Sequence, residues 1–284
     1  MSGSFFVSYI SVAGIQIWFR SFCNFSWANL SVFLIRRPFN VEVKVQVDIC
    51  SEIMPKIDGM YFNDRLTWLK KESSHDDFIV YQKQLDSEKI GRLLEFDPNC
   101  SKASIQFSDD IDTNLPPLSD VLFRNRILFH QGLVLHSSAI KYCDKAILFT
   151  APSGTGKSTM AHLWVKHKNA VILNGDSPAI RMMGDRPIVF GTPWSGSKPE
   201  FVNDSAPLKA IVVLEQAPEN RIRKLDAYEY VTRVLPRVFL PYFDQGLMGR
   251  ALENFEKIVG SVPVYLLQCR PDQEAVELVH QCLF

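Results

Sequence analysis

Between Ala151 and Thr159 the chain reads Ala-Pro-Ser-Gly-Thr-Gly-Lys-Ser-Thr. Gly154 and Gly156 let a backbone curl until successive N–H groups point inward at phosphate oxygens, and a following helix adds the positive end of its dipole. Lys157 can reach β- and γ-phosphates, and the Ser158 hydroxyl can ligate Mg²⁺. Ser153, Gly154, Thr155, Gly156, Lys157, Ser158 and Thr159 are therefore the candidate nucleotide-binding residues. ATP, or another nucleoside triphosphate, with Mg²⁺ is the expected ligand. The strict pattern opens on glycine and this chain has Ala151; alanine is the next smallest residue, which predicts a small change of loop geometry.

Chemistry on such a ligand needs a carboxylate near the metal or the attacking hydroxyl. Asp176 closes the apolar run Val171-Ile172-Leu173-Asn174-Gly175, nineteen residues after Lys157. Ligands in α/β sheets collect at the carboxyl ends of strands, so Asp176 is a candidate base and metal ligand. Its other reading is a turn residue in Gly175-Asp176-Ser177-Pro178. His136, in Leu133-Val134-Leu135-His136-Ser137-Ser138-Ala139, is expected on the strand that pairs with the one entering the loop. There it could ligate a metal or assist proton transfer, or be a structural strand histidine.

The elements that must position these groups are legible as periodicities. Lys145 to Ala151 reads as the strand feeding the loop, Lys157 to Lys168 as the helix leaving it, and Ala170 to Leu173 as a short buried strand. Leu133 to Ala139 and Pro207 to Glu215 read as further strands, and Val262 to Leu267 as a late one. Helices are expected from Ser119 to His130, over Asp226 to Leu240 and Gln245 to Val259, and from near Asp272 to the C-terminus. Strands alternating with helices predict an α/β layered core. Before it, Val41–Asp48, Phe78–Tyr81, Arg92–Phe96 and Ala103–Phe107 alternate at period two, predicting an antiparallel sheet with one wet face. The polar, proline-bearing run Asp109–Pro117 suggests a boundary, giving a β-rich region 1–115 and a nucleotide-binding domain 116–284.

Composition excludes some functions. The chain has 284 residues with 31 basic and 31 acidic side chains. Residues 41–118 carry nine bases against fifteen acids, which argues against nucleic acid as a partner of that half. The apolar stretch Phe5–Phe19 is interrupted by Ser8, Ser11, Gly14 and Gln16 and is shorter than the ~20 residues of a membrane span. Six cysteines without a C-x-x-C pair, and no basic residue before Arg20, point to free thiols in a cytoplasmic protein without a membrane partner.

Leu135-His136-Ser137-Ser138-Ala139, Ala146-Ile147-Leu148-Phe149-Thr150 running into the loop, and Leu173-Asn174-Gly175-Asp176 together resemble the HPr serine kinase/phosphorylase family. They also resemble the ATP-dependent phosphoenolpyruvate carboxykinases, which share its fold. The resemblance covers about residues 130–200 in motif detail and extends to 284 in element order. It implies a phosphoenolpyruvate carboxykinase-like core of a mixed sheet with flanking helices. It implies His136 as an active-site histidine, Lys157 and Ser158 as nucleotide and Mg²⁺ residues, and Asp176 as the base on an accepting serine. The family has a second aspartate where this chain has Ser177, and the chain is far shorter than a carboxykinase, so decarboxylation is not the expected chemistry. Shorter relatives beside ribosomal-peptide pathways phosphorylate a peptide serine, and the segments at Ala179–Arg181 and Gly191–Lys198 are similar to theirs. Arg181 and Lys198 could then neutralise charge on a transferring phosphoryl group. The acceptor so implied is a protein or peptide; the β-rich region, which the resemblance does not cover, is a candidate to recruit it or to mediate self-association. Family members often form oligomers, which extends the implication to a homo-oligomer. The alternatives are a small-molecule kinase and a nucleotide-binding regulator without transfer activity.

Overall fold

The computed structural model describes residues 5–21, 28–53, 62–63, 67–70, 77–84, 89–108, 115–196 and 198–284. The boundary run at 109–114, Cys23 and Ser197 lie outside them. Two compact units emerge, one of Met1–Phe129 with Pro241–Gln245, the other of His130–Leu240 with Gly246–Phe284.

Among the described residues, the first unit is an eight-stranded sheet with one α-helix. Its strands are β1 (Phe6–Val12), β2 (Ile15–Ser21), β3 (Val41–Cys50), β4 (Phe62–Asn63), β5 (Thr67–Lys70), β6 (Phe78–Lys83), β7 (Ile90–Phe96) and β8 (Lys102–Ser108), followed by helix α1 (Leu118–Arg126). The order across the sheet is β1-β2-β3-β8-β7-β6-β5-β4. The apolar N-terminal stretch is the β1–β2 hairpin, turned at Ala13 and Gly14 with φ of 52° and 78°, the left-handed pair that a tight hairpin turn requires. Alternation sends Val43, Val45 and Val47 of β3 into the core and leaves Lys44 exposed. The expectation of an antiparallel sheet is corrected: β3 runs parallel to both its neighbours, β2 and β8. A period-two pattern specifies which face is buried and carries no information on strand direction, which the crossovers decide.

The second unit contains β9 (Gly132–Val134), β10 (Ser137–Tyr142), β11 (Lys145–Thr150), α2 (Lys157–Lys168), β12 (Val171–Asn174), β13 (Ala179–Met183), β14 (Arg186–Phe190), β15 (Ser205–Gln216), β16 (Arg221–Lys224), α3 (Ala227–Arg233), α4 (Gln245–Ser261), β17 (Val264–Cys269) and α5 (Gln273–Leu283). It is a mixed sheet flanked by helices, an α/β arrangement. The order is β12-β10-β11-β15-β14-β13-β9, with β17 paired to β15 and β16 to β17. Strands β11, β15 and β17 run parallel, so their carboxyl ends lie on one edge. Phe149, Trp164, Val212, Leu267, Val276 and Val279 fill the core between these strands and helices α2 and α5.

Two expected elements are broken. The strand predicted over Leu133–Ala139 divides into β9 and β10, because Leu135 and His136 turn their backbone N–H groups to Pro178 and Arg237 instead of to a neighbouring strand. The helix predicted over Asp226–Leu240 stops at Arg233, and a 3₁₀ turn follows over Leu235–Arg237. Pro236 cannot donate to a continuing helix and its ring clashes with the preceding turn. Among the described residues, no helix is long and apolar enough to cross a membrane. Cys50, Cys100, Cys143, Cys269 and Cys282 are free.

Candidate functional site

Strand β11 delivers the chain into the loop at Ala151, and α2 begins at Lys157. Gly154 and Gly156 take φ of 80° and 115°, where a side chain would be strained, so the glycine spacing has its conformational cause. The Lys157 side chain does not project into solvent; it is 7% exposed and folds back over its own loop. Its ammonium lies 2.8 Å from His136 Nε2 and donates to the carbonyl of Ala151 at 3.2 Å and, more weakly, of Pro152 at 3.5 Å. Burial pushes the Lys157 pKa down; the Asp176 carboxylate opposes that shift and the Arg237 guanidinium adds to it.

Because His136 Nε2 faces a cation it acts as the acceptor, which assigns the ring proton to Nδ1. Nδ1 lies 3.3 Å from Asp176 Oδ1. Lys157, His136 and Asp176, from three separate elements, thus form one line of contacts beside the loop. The main chain fixes the middle member: His136 N–H donates to Arg237 O at 2.8 Å, and Thr150 Oγ1 donates to His136 O at 2.9 Å. The ring also packs edge-on against Phe239.

Asp176 is held by a buried asparagine. Asn174 Oδ1 accepts from the N–H groups of Asp176 and Ser177, at 2.9 and 2.7 Å. Its amide nitrogen lies 2.9–3.0 Å from Thr192 O, Thr192 Oγ1 and Trp194 O. One side chain therefore shapes the Asp176 turn and pins it to the segment after β14. Ser177, where the resemblance implied a second acid, donates its hydroxyl to Asp176 Oδ2 at 3.0 Å.

Arg181 and Lys198 are placed differently from this group. Arg181 Nε donates to the His130 carbonyl at 3.3 Å, Lys198 is exposed, and neither lines the clefts beside the loop. Two residues not singled out from sequence stand near. Arg237 lines the cleft that also borders Ser153, and its buried Nε has no hydrogen-bond partner among the described residues. Glu200 pairs with His162 at 2.8 Å, one turn beyond Ser158 on the same face of α2, while its backbone carbonyl accepts from Gly175 N–H. The link braces the Asp176 turn against α2. Arg237 lies eighty positions beyond Lys157 inside an apparent helix, and only the chain's return to His136 distinguishes it. Among the described residues no group of three His, Cys, Asp or Glu side chains has metal-holding geometry.

Among the described residues, two clefts that open from the loop share Gly154, Thr155, Leu214, Glu215 and Gln216. One, of about 600 Å³, continues past Pro152 and Ser153 to Arg233 and Arg237. The other, of about 630 Å³, continues past Thr159 and Met160 to Pro218, Arg270 and Pro271.

No family model matches this chain, and no curated protein matches it. Among solved structures it is similar to the HPr(Ser) kinase/phosphatase from Coxiella burnetii, at 12% identity over 52% of this chain and 95% of that one, with a TM-score of 0.33. A likeness of that size decides neither the fold of the core nor any residue's role.

Proposed function

We propose that this chain is an ATP-dependent phosphotransferase on a phosphoenolpyruvate carboxykinase-like core, moving the γ-phosphoryl group of ATP to a serine-type hydroxyl of a protein or peptide. The observation that carries the reading is the line Lys157–His136–Asp176 set directly against a glycine-bent phosphate loop. A structural lysine would place its ammonium in water; this one is buried beside a histidine and a carboxylate, where a triphosphate would offer better partners.

The loop N–H groups and Lys157 hold the phosphates, with Lys157 leaving His136 to do so. The acceptor hydroxyl gives its proton to Asp176 as its oxygen bonds to the γ-phosphorus, and the bond from that phosphorus to the bridging oxygen breaks to release ADP. His136 Nδ1–H and the Ser177 hydroxyl orient the Asp176 carboxylate through its two oxygens. Arg237 answers negative charge developing beside Ser153. The donors present are oxygens of the kind Mg²⁺ takes: Ser158 and Asp176 would hold it with the phosphates, and it supplies charge neutralisation there.

Transfer from γ-labelled ATP with Mg²⁺ into an extract of the native host tests this, with Lys157→Ala and Asp176→Asn alongside. Label on a macromolecule that both substitutions abolish is the expected result. Undiminished transfer by Asp176→Asn would remove Asp176 as base. Label confined to a small molecule would favour a second reading, a small-molecule kinase, which the 600 Å³ cleft leading to Arg233 and Arg237 could serve.

A further inference from the structure

If the triphosphate lies in the loop, its two ends are distinguishable. Lys157, His136, Asp176 and Arg237 mark where the terminal phosphate must be, since the lysine of such a loop reaches the β- and γ-phosphates. The cleft past Pro152 and Ser153 leads from that end. The other cleft leaves the loop at Gly156 and Thr159, one residue beyond the Mg²⁺-type Ser158, and offers a place for the nucleoside. Its volume, about 630 Å³, falls in the range of small-molecule sites.

The far wall of that cleft is unusually well fixed for a surface. It consists of the turns that follow β15 and β17, at the carboxyl ends of two parallel strands. Ala217 N–H donates to Cys269 O at 3.1 Å, and Asn220 bridges the turns by accepting from Arg270 N–H and donating to Asp272 and Glu274. The Arg270 guanidinium is held at two corners, Nε to Asp272 at 3.1 Å and a terminal nitrogen to Glu274 at 2.9 Å. Its orientation is set and its charge is already answered by two carboxylates. What remains to offer a ligand is a flat face, with the rings of Pro218 and Pro271 on the same cleft and exposed Thr159 of α2 also lining it. Delocalised planes and proline rings of this kind stack on nucleobases.

Two of the longer polar side chains on the cleft are engaged elsewhere. Glu215 accepts from Gln268 and Arg233, and Gln216 Nε2 donates to Thr155 O. We infer that the cleft between Thr159 and the Pro218–Arg270–Pro271 shelf is a nucleobase site that grips a purine by its faces and does not discriminate adenine from guanine. The inference rests on the phosphate-loop reading and adds to it where the nucleoside goes and what selectivity results.

Equilibrium binding of ATP, GTP and inorganic triphosphate, each with Mg²⁺, separates the two levels of the claim. The wild type is expected to bind ATP and GTP within about threefold of each other, and both roughly tenfold or more tighter than inorganic triphosphate, the gain that one stacked base supplies. Arg270→Ala should remove most of that gain and leave the affinity for inorganic triphosphate unchanged. Arg270→Lys keeps the charge and loses the plane, so it should behave like the alanine variant; full rescue by lysine would overturn stacking. ATP affinity unchanged in both variants would overturn the placement of the base, and a tenfold preference for one purine would overturn face-only recognition. Failure of all three probes to bind the wild type would sink the phosphate-loop reading and this inference with it.

Discussion

Asn174 touches no reacting atom in the proposed mechanism, yet it braces the Asp176 turn more than any other side chain does. It is fully buried, and Asn174→Ala would strand the N–H groups of Asp176 and Ser177 together with the Thr192 carbonyl. At about 1–3 kcal/mol for each buried group left unpaired, the expected loss is roughly 3 kcal/mol or more in urea unfolding. Transfer should fall further than nucleotide affinity, because the phosphate loop is a separate segment. Lys157 makes a prediction of a different kind. Burial depresses its pKa in the folded chain, while the unfolded chain keeps the ordinary value near 10.5. Between the two values the unfolded state binds more protons, so this group's contribution to stability rises with pH and levels off above the unfolded value. Unfolding of the wild type and Lys157→Met without nucleotide, followed from neutral to alkaline pH, should show the difference moving in the wild type's favour. A pH-independent difference would mean that the buried ammonium is not penalised.

At the scale of elements, the segment from β14 to Phe201 decides where Asp176 stands. A side chain at Gly191 would place its Cβ 1.9 Å from the Val202 carbonyl oxygen and 2.7 Å from that of Leu173. Both obstacles are backbone, so Gly191→Ala must move β12 or the returning chain. A destabilisation of about 1–3 kcal/mol follows from overpacking, with a loss of transfer that exceeds it, measurable by denaturation and by labelled-ATP assay on the residual folded protein. Gly249, with nothing near its Cβ position, is the control that should tolerate alanine. The contrast also bears on what the sequence discloses. The glycine loop, the strand before it and the helix after it are local, and spacing alone picks out Lys157 and Asp176. The pairing of Asn174 with Thr192, the crowding at Gly191 and the approach of Arg237 to the loop depend on segments many residues apart, and no periodicity encodes them. Only the resemblance of its segment to the shorter relatives implies Arg181 as a phosphate contact; it follows the Asp176 turn closely in sequence but lies on β13, where its Nε donates to the His130 carbonyl. Sequence proximity and spatial proximity diverge wherever a hairpin such as β13–β14 intervenes.

At the scale of the whole molecule, the chain divides into two compact units, and the glycine loop lies in the second. The first unit buries Val43, Val45, Leu94, Ile105 and Phe107 within its own sheet, and the segment Pro241–Gln245 contributes Phe243, whose ring meets Phe78 edge-on at 5.1 Å. The second unit holds every residue proposed to touch the nucleotide. A ligand that binds only the folded form of one unit stabilises that unit by mass action, by about 2.7 kcal/mol at a concentration one hundred times its Kd. Scanning calorimetry of the full chain should therefore resolve two transitions, with Mg-ATP raising the midpoint of one and leaving the other in place. Lys157→Ala should abolish the shift without altering the unshifted transition. A single transition that moves as a whole would show that the units unfold together, and the nucleotide would then stabilise the first unit as well as its own. Nucleotide occupancy would in that case be read by the entire chain.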